Sequence, residues 1–138
     1  MKKHVQIIFT LLLIAGLSSC RDDMQIQTLG SNYYLMGNKE NTASIKVVHS
    51  NGNTFDDVIL GEIIDCNKDP KFILVHRKIT EKAKTIFEET ILWEKQNKYP
   101  DQYWIIDKTY DGINGPLNYK DYIARRKELQ VSEGITIR

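Results

Sequence analysis

The chain has 138 residues with 19 Lys and Arg against 18 Asp and Glu, a formal charge of +1, and it is 41% hydrophobic and 27% charged. That composition excludes a disordered chain, and the near-neutral balance excludes a nucleic-acid partner held by a basic surface. The densest basic run, Arg125-Arg126-Lys127, falls in a helical pattern and reads as a solvated face.

At the N-terminus Lys2 and Lys3 precede an apolar run from Ile7 to Leu17 that only Thr10 and Gly16 interrupt. A charged n-region followed by an h-region of about a dozen residues has the form of an export signal, shorter than the roughly 20 residues that span a bilayer. The next residues, Leu17-Ser18-Ser19-Cys20, resemble the lipobox of bacterial lipoproteins: a Leu, two small residues and a Cys that becomes the first mature residue. That resemblance implies a diacylglyceryl group on the Cys20 thiol, an acylated amine such as a palmitoyl amide, and anchoring to a membrane of the cell envelope. Two lipid signals are enough for stable anchoring. Residues 1–19 are then a signal peptide, 20–28 a polar tether and 29–138 a single domain, since the 119 residues left after removal suit one modest core. Arg21-Asp22-Asp23, directly after the Cys, is similar to the surface-export signal of some Gram-negative lipoproteins. The expected location is the cell envelope, lipid-anchored, with the outer membrane, the cell surface and the periplasmic face as the alternatives.

From Leu29 the pattern is that of a β-meander. Tyr33 to Met36 ends at Gly37-Asn38, and Ile45, Val47 and Val48 form a second strand that ends at Ser50-Asn51-Gly52-Asn53. Val58 to Ile64 is apolar on both faces apart from Gly61 and Glu62, which predicts one strand deep in a sheet, and Phe72 to Val75 returns beside it as a hairpin. The period changes at Thr80: Ala83, Ile86, Phe87, Thr90 and Ile91 recur at helical offsets, which predicts a single helix from Thr80 to Gln96. Tyr103 to Ile106 is the strongest strand signal, and Asp111-Gly112 has the chemistry of a type I′ turn. Asn118 is an N-cap for a helix to Leu129, and Ile135 to Ile137 fits an edge strand or a frayed end. The sum is an α+β domain: an antiparallel β-meander of about five or six strands with one inserted helix and one C-terminal helix.

No catalytic, cofactor-binding or metal-binding constellation stands out. His49 and His76 lie in different strands without ligand spacing, and no nucleophile elbow, Walker loop or dinucleotide fingerprint is present. Cys66, the one thiol besides Cys20, packs as a small apolar residue. The carboxylates Asp56, Asp57, Glu62, Asp65 and Asp69 surround the central hairpin, and with a histidine they make the enzymatic alternative, a small acid/base hydrolase. Aromatic residues without a core position to fill are the better candidates for recognition. Trp93 lies off its helix stripe, Tyr99 precedes Pro100 and Tyr110 precedes the Asp111-Gly112 turn, so these three are expected to form an exposed patch if they share one end of the sheet.

The run Tyr103-Trp104-Ile105-Ile106-Asp107-Lys108, the following Gly115-Pro116-Leu117 and the Tyr-containing helix ending Arg126-Lys127-Glu128-Leu129 resemble a group of small bacterial proteins of unknown function, DUF3997. Gly30-Ser31-Asn32-Tyr33-Tyr34-Leu35 and Phe72-Ile73-Leu74-Val75 are similar to it as well. The resemblance covers most of the mature chain and implies no activity. The expected function is that of a membrane-anchored envelope lipoprotein, a non-enzymatic module that binds a protein partner or a surface ligand. The alternatives are the hydrolase and an immunity lipoprotein against a secreted toxin.

Overall fold

The computed structural model describes residues 24–138. They form β1 (Met24–Gly30), β2 (Tyr33–Asn38), β3 (Asn41–Ser50), β4 (Phe55–Ile59), β5 (Ile63–Lys68), β6 (Phe72–Lys78), α1 (Glu81–Phe87), α2 (Ile91–Gln96), β7 (Asp101–Asp107), β8 (Gly112–Leu117) and α3 (Tyr119–Glu128). The strands make two antiparallel sheets of four, in the orders β1-β2-β3-β4 and β5-β6-β7-β8. The α+β class and the antiparallel meander hold, with eight strands rather than five or six.

The sheets stack through Leu29, Tyr33, Val47 and Ile59 on one side and Ile73, Val75, Trp104 and Ile106 on the other. The opposite face of the second sheet packs Phe72, Leu74, Tyr103 and Ile105 against Tyr122 of α3 and against Val131 and Ile135 of the C-terminal segment. Period-2 alternation explains this directly, because successive residues of β6 and β7 point to opposite faces and both faces are covered. Every residue from Phe72 to Arg77 is buried.

The strand expected from Val58 to Ile64 is two strands in different sheets. The chain crosses at Leu60-Gly61-Glu62, where a Cβ on Gly61 would collide with the carbonyl oxygens of Ala43 and Ile45. Close backbone approach explains why a glycine interrupts the apolar run. The expected tether is shorter than residues 20–28, because Met24 to Thr28 already pair with β2. Cys20 and the signal segment lie outside the described residues.

The helix expected from Thr80 to Gln96 breaks after Phe87. Thr80 caps α1 as expected, accepting from the Ala83 amide, but Thr90 Oγ1 accepts from the Trp93 amide and starts a new helix. Resetting the phase turns Trp93 inward onto Phe87 and leaves Ile91 72% exposed, while Ile86 is exposed on α1. A second threonine cap inside the stripe was the unused signal. Asp111-Gly112 closes a four-residue loop rather than a two-residue one, since Asp107 pairs with Gly112. Positive φ at both central residues of a two-residue turn occurs instead at Ser31 and Asn32, between paired Gly30 and Tyr33. Asn118 caps α3 as expected, and residues 135–137 make no strand, although Ile135 is buried.

Candidate functional site at the hairpin-turn end

Alternating strand directions sort the connections onto two ends. Turns 31–32, 51–54, 69–71 and 108–111 share one end: the bonds from the Ser50 amide to Asn32 O, at 2.8 Å, and from the Lys108 amide to Lys71 O, at 2.9 Å, join them in pairs within each sheet, and the bond from the Tyr33 hydroxyl to Asp111 joins the two sheets. The start of β1, the crossover at Gly61, and α1 with α2 lie at the other. Gln96 ties α2 there, donating to Val58 O at 2.6 Å and accepting from the Leu60 amide at 3.3 Å.

The turn end carries two groups of polar side chains. In the first, Tyr33 stands on the inward face of β2 opposite His49, with ring centroids 4.5 Å apart. Its hydroxyl donates to Asp111 Oδ1 at 3.1 Å, and His49 Nε2 lies 3.9 Å from the same oxygen. Burial, then the hydrogen bond and charge of Asp111, push the Tyr33 hydroxyl up to about 12, so it remains a donor at neutral pH.

In the second group two ammonium groups reach across from the second sheet to the carbonyls that end β1. Lys68 Nζ donates to Thr28 O and Lys108 Nζ to Leu29 O, each at 2.9 Å. Gly30 makes room for the latter: its φ is +90° and a Cβ there would stand 2.8 Å from Lys108 Nζ. Leu29, Gly30, Lys68, Asp69, Pro70 and Lys108 line an open cavity of about 340 Å³. Burial, and secondarily the charge of Lys68, lower the Lys108 pKa against the opposing pull of Asp69. Asp69 Oδ1 is itself engaged by the amides of Lys71 and Phe72 at 2.8 and 2.6 Å.

The three aromatic residues singled out in the sequence are not brought together. Trp93 is 3% exposed, Tyr99 is half-buried at the α2–β7 connection, and Tyr110 is 81% exposed at the far end of β7. Six strand steps of about 3.3 Å put roughly 20 Å between the two ends of β7, so no common patch exists. Trp93 is a core residue. The Arg77 guanidinium lies 4.3 Å from its ring and 5.8 Å from that of Trp104. Arg77 is fully buried, donating to Gln96 O at 3.0 Å and Gln102 Oε1 at 3.1 Å, and it has no carboxylate partner among the described residues. Burial brings its pKa down to about 10, so it is still a cation at neutral pH.

The acids of the 56–69 region do not converge with either histidine as a hydrogen-bonded pair. Asp57 bonds Lys46 at 2.7 Å, Asp65 accepts from the amides of Cys66 and Arg138, and Asp56 accepts from Asn51 Nδ2 at 3.4 Å. His76 instead meets Asp101, with Nε2 2.9 Å from Oδ1, and stacks on Tyr103 at 4.4 Å between centroids. With the carboxylate accepting, Nε2 is the donor, and the buried Nδ1 has no partner among the described residues. Among the described residues no three His, Cys, Asp or Glu side chains gather as a metal site. Cys66 packs beside the inter-sheet core, where burial and then Asp65 push its thiol up to about 12; this removes the thiolate that nucleophilic chemistry needs.

Lys68, Lys108, Asp101 and Asp111 belong to these groups without a sequence signal that marks them as functional. Asp111 was legible only as a turn residue, and the lysines carried no signal, because their meeting depends on how one sheet lies over the other. No curated protein and no solved structure matches the chain. The family model described as a protein of unknown function, DUF3997, matches residues 30–138, from the β1–β2 turn to the C-terminus, and the chain therefore belongs to the DUF3997 family.

Proposed function

We propose that this protein is a lipid-anchored lipoprotein of the bacterial cell envelope and that its domain is a non-enzymatic binding module for a protein partner or surface ligand. The observation that carries the reading is the Leu17-Ser18-Ser19-Cys20 tetrad at the end of an apolar run, a few residues before the first strand. Between Cys20 and Met24 the chain reaches at most about 14 Å, so acylation at Cys20 holds the start of β1 against the headgroups. The seven residues of β1 span about 20 Å, which lets the four hairpin turns stand away from the membrane when the strand runs outward from the anchor. Exposed Tyr110 and the lysine-lined cavity belong to that outward end, where a partner has free access. The hydrolase alternative is the weaker reading, since among the described residues none of the acids of the 56–69 region is hydrogen-bonded to His49 or His76.

Incorporation of labelled palmitate tests the anchor. Wild type takes up label and stays with membranes through a high-salt wash, whereas Cys20→Ala is unlabelled and soluble. Label that persists in Cys20→Ala, or release of wild type by salt, refutes the reading.

A further inference from the structure

We infer that the cavity between Lys68 and Lys108 is a binding site for a small anionic group, a phosphate or a carboxylate. An ammonium has three N–H donors, and Lys108 Nζ uses one of them, toward Leu29 O. Its side chain is nine-tenths buried, and a charge so far removed from water is costly unless an anion or several acceptors meet it. Neither Lys108 nor Lys68 forms a salt bridge among the described residues. The carboxylates adjacent in sequence pair with neither lysine: Asp69, which lines the same cavity, accepts from the Lys71 and Phe72 amides through Oδ1, and Asp107 accepts from the Thr109 amide. Two cations therefore flank an open space of about 340 Å³, with four N–H donors not given to carbonyls. Leu29 and Pro70 supply apolar walls that lower the local dielectric. An anion seated there accepts from both ammonium groups and offsets the repulsion between them. Charge-assisted hydrogen bonds of this kind are about twice as strong as neutral ones.

The site does not depend on how the chain is anchored. Inorganic phosphate and acetate are the two soluble probes, titrated at constant ionic strength, balanced with chloride, into ¹⁵N-labelled full-length protein in neutral-detergent micelles. The Gly30 and Lys108 amides report. Saturable shifts with either probe, weakened about tenfold in Lys68→Gln and abolished in Lys108→Gln, are the expected result. Lys108→Gln also frees the Leu29 carbonyl, so if that variant does not fold, Lys68→Gln decides; its position is exposed and its thermal midpoint should stay within about 3 °C of wild type. Shifts that do not saturate with either probe, or that are equal in Lys68→Gln and wild type, overturn the inference. So do shifts that arise only when phosphatidylglycerol is added to the micelles, because the cavity would then be reading a lipid headgroup at the detergent surface.

Discussion

The two sheets share one connectivity and differ in what covers them. The second has the first sheet on one face and α3 with the C-terminal segment on the other, and β6 accordingly runs Phe72-Ile73-Leu74-Val75 without a polar residue. The first sheet is covered on its inward face. Its outward face carries Ile26, Tyr34, Lys46, Phe55 and Asp57, where Phe55 is 50% exposed and meets Tyr34 edge-on at 5.7 Å. Identical meanders thus become an interior layer or an exterior one according to the residues they place on the second face. A sheet with both faces buried is apolar except where a buried polar side chain finds a partner, as Arg77 does in Gln102, and a half-covered sheet tolerates mixing.

Substitutions on the two sheets should separate accordingly. Trp104→Ala removes the largest fully buried side chain, taken from between the sheets, where a Cβ on Gly115 would strike its ring. It should cost about 4 kcal/mol in chemical denaturation, through lost burial and the cavity left behind. A loss below about 1 kcal/mol would mean that the two layers do not share that core.

The next effect is read in pH. Folding raises the Cys66 thiol from 9.0 to about 12, so the unfolded chain gives up this proton first. The stability this contributes is complete below pH 9 and is lost as the pH climbs toward 12. The urea midpoint should fall less steeply over that window in Cys66→Ala than in wild type. Parallel slopes would show that β5 leaves the thiol open to water.

Thr90→Ala deletes the cap that starts α2 and should lower stability by about 1 kcal/mol, read from the thermal midpoint. No change would indicate that Trp93 alone sets the break. Phe55→Ala, on the uncovered face, should cost less than about 1 kcal/mol in the same denaturation assay used for Trp104→Ala. A cost comparable to that of Trp104→Ala would erase the distinction between the sheets.

The elements that could be read in the sequence were those whose signals are local. Thr80 and Asn118 cap helices because a side-chain oxygen three residues ahead of an amide needs no tertiary partner. Phe72 to Val75 and Tyr103 to Ile106 were legible as strands because their uninterrupted apolar character matches burial on both faces. Val58 to Ile64 misled for the same reason: an apolar run reads alike whether it stays in one sheet or passes between two, and Gly61 was the only mark of the crossing. The candidate site was almost wholly illegible. Trp93 reads as a surface ring when the stripe that starts at Thr80 is continued past Thr90, where the helical phase resets, and Tyr110 reads as a turn residue without any local sign of which end of β7 its neighbours occupy.

By itself the sequence determined the α+β class, the antiparallel sense of the hairpins and the caps of α1 and α3. These follow from chain-local periodicity, turn chemistry and hydrogen-bond geometry. Tertiary structure alone decided that the meander divides into two sheets, that Arg77 is enclosed between Trp93 and Trp104, and that Lys68 and Lys108 converge on the end of β1 from positions 40 and 79 residues away from their acceptors. Contacts of that sequence separation depend on how one sheet is laid over another, which no window of neighbouring residues contains.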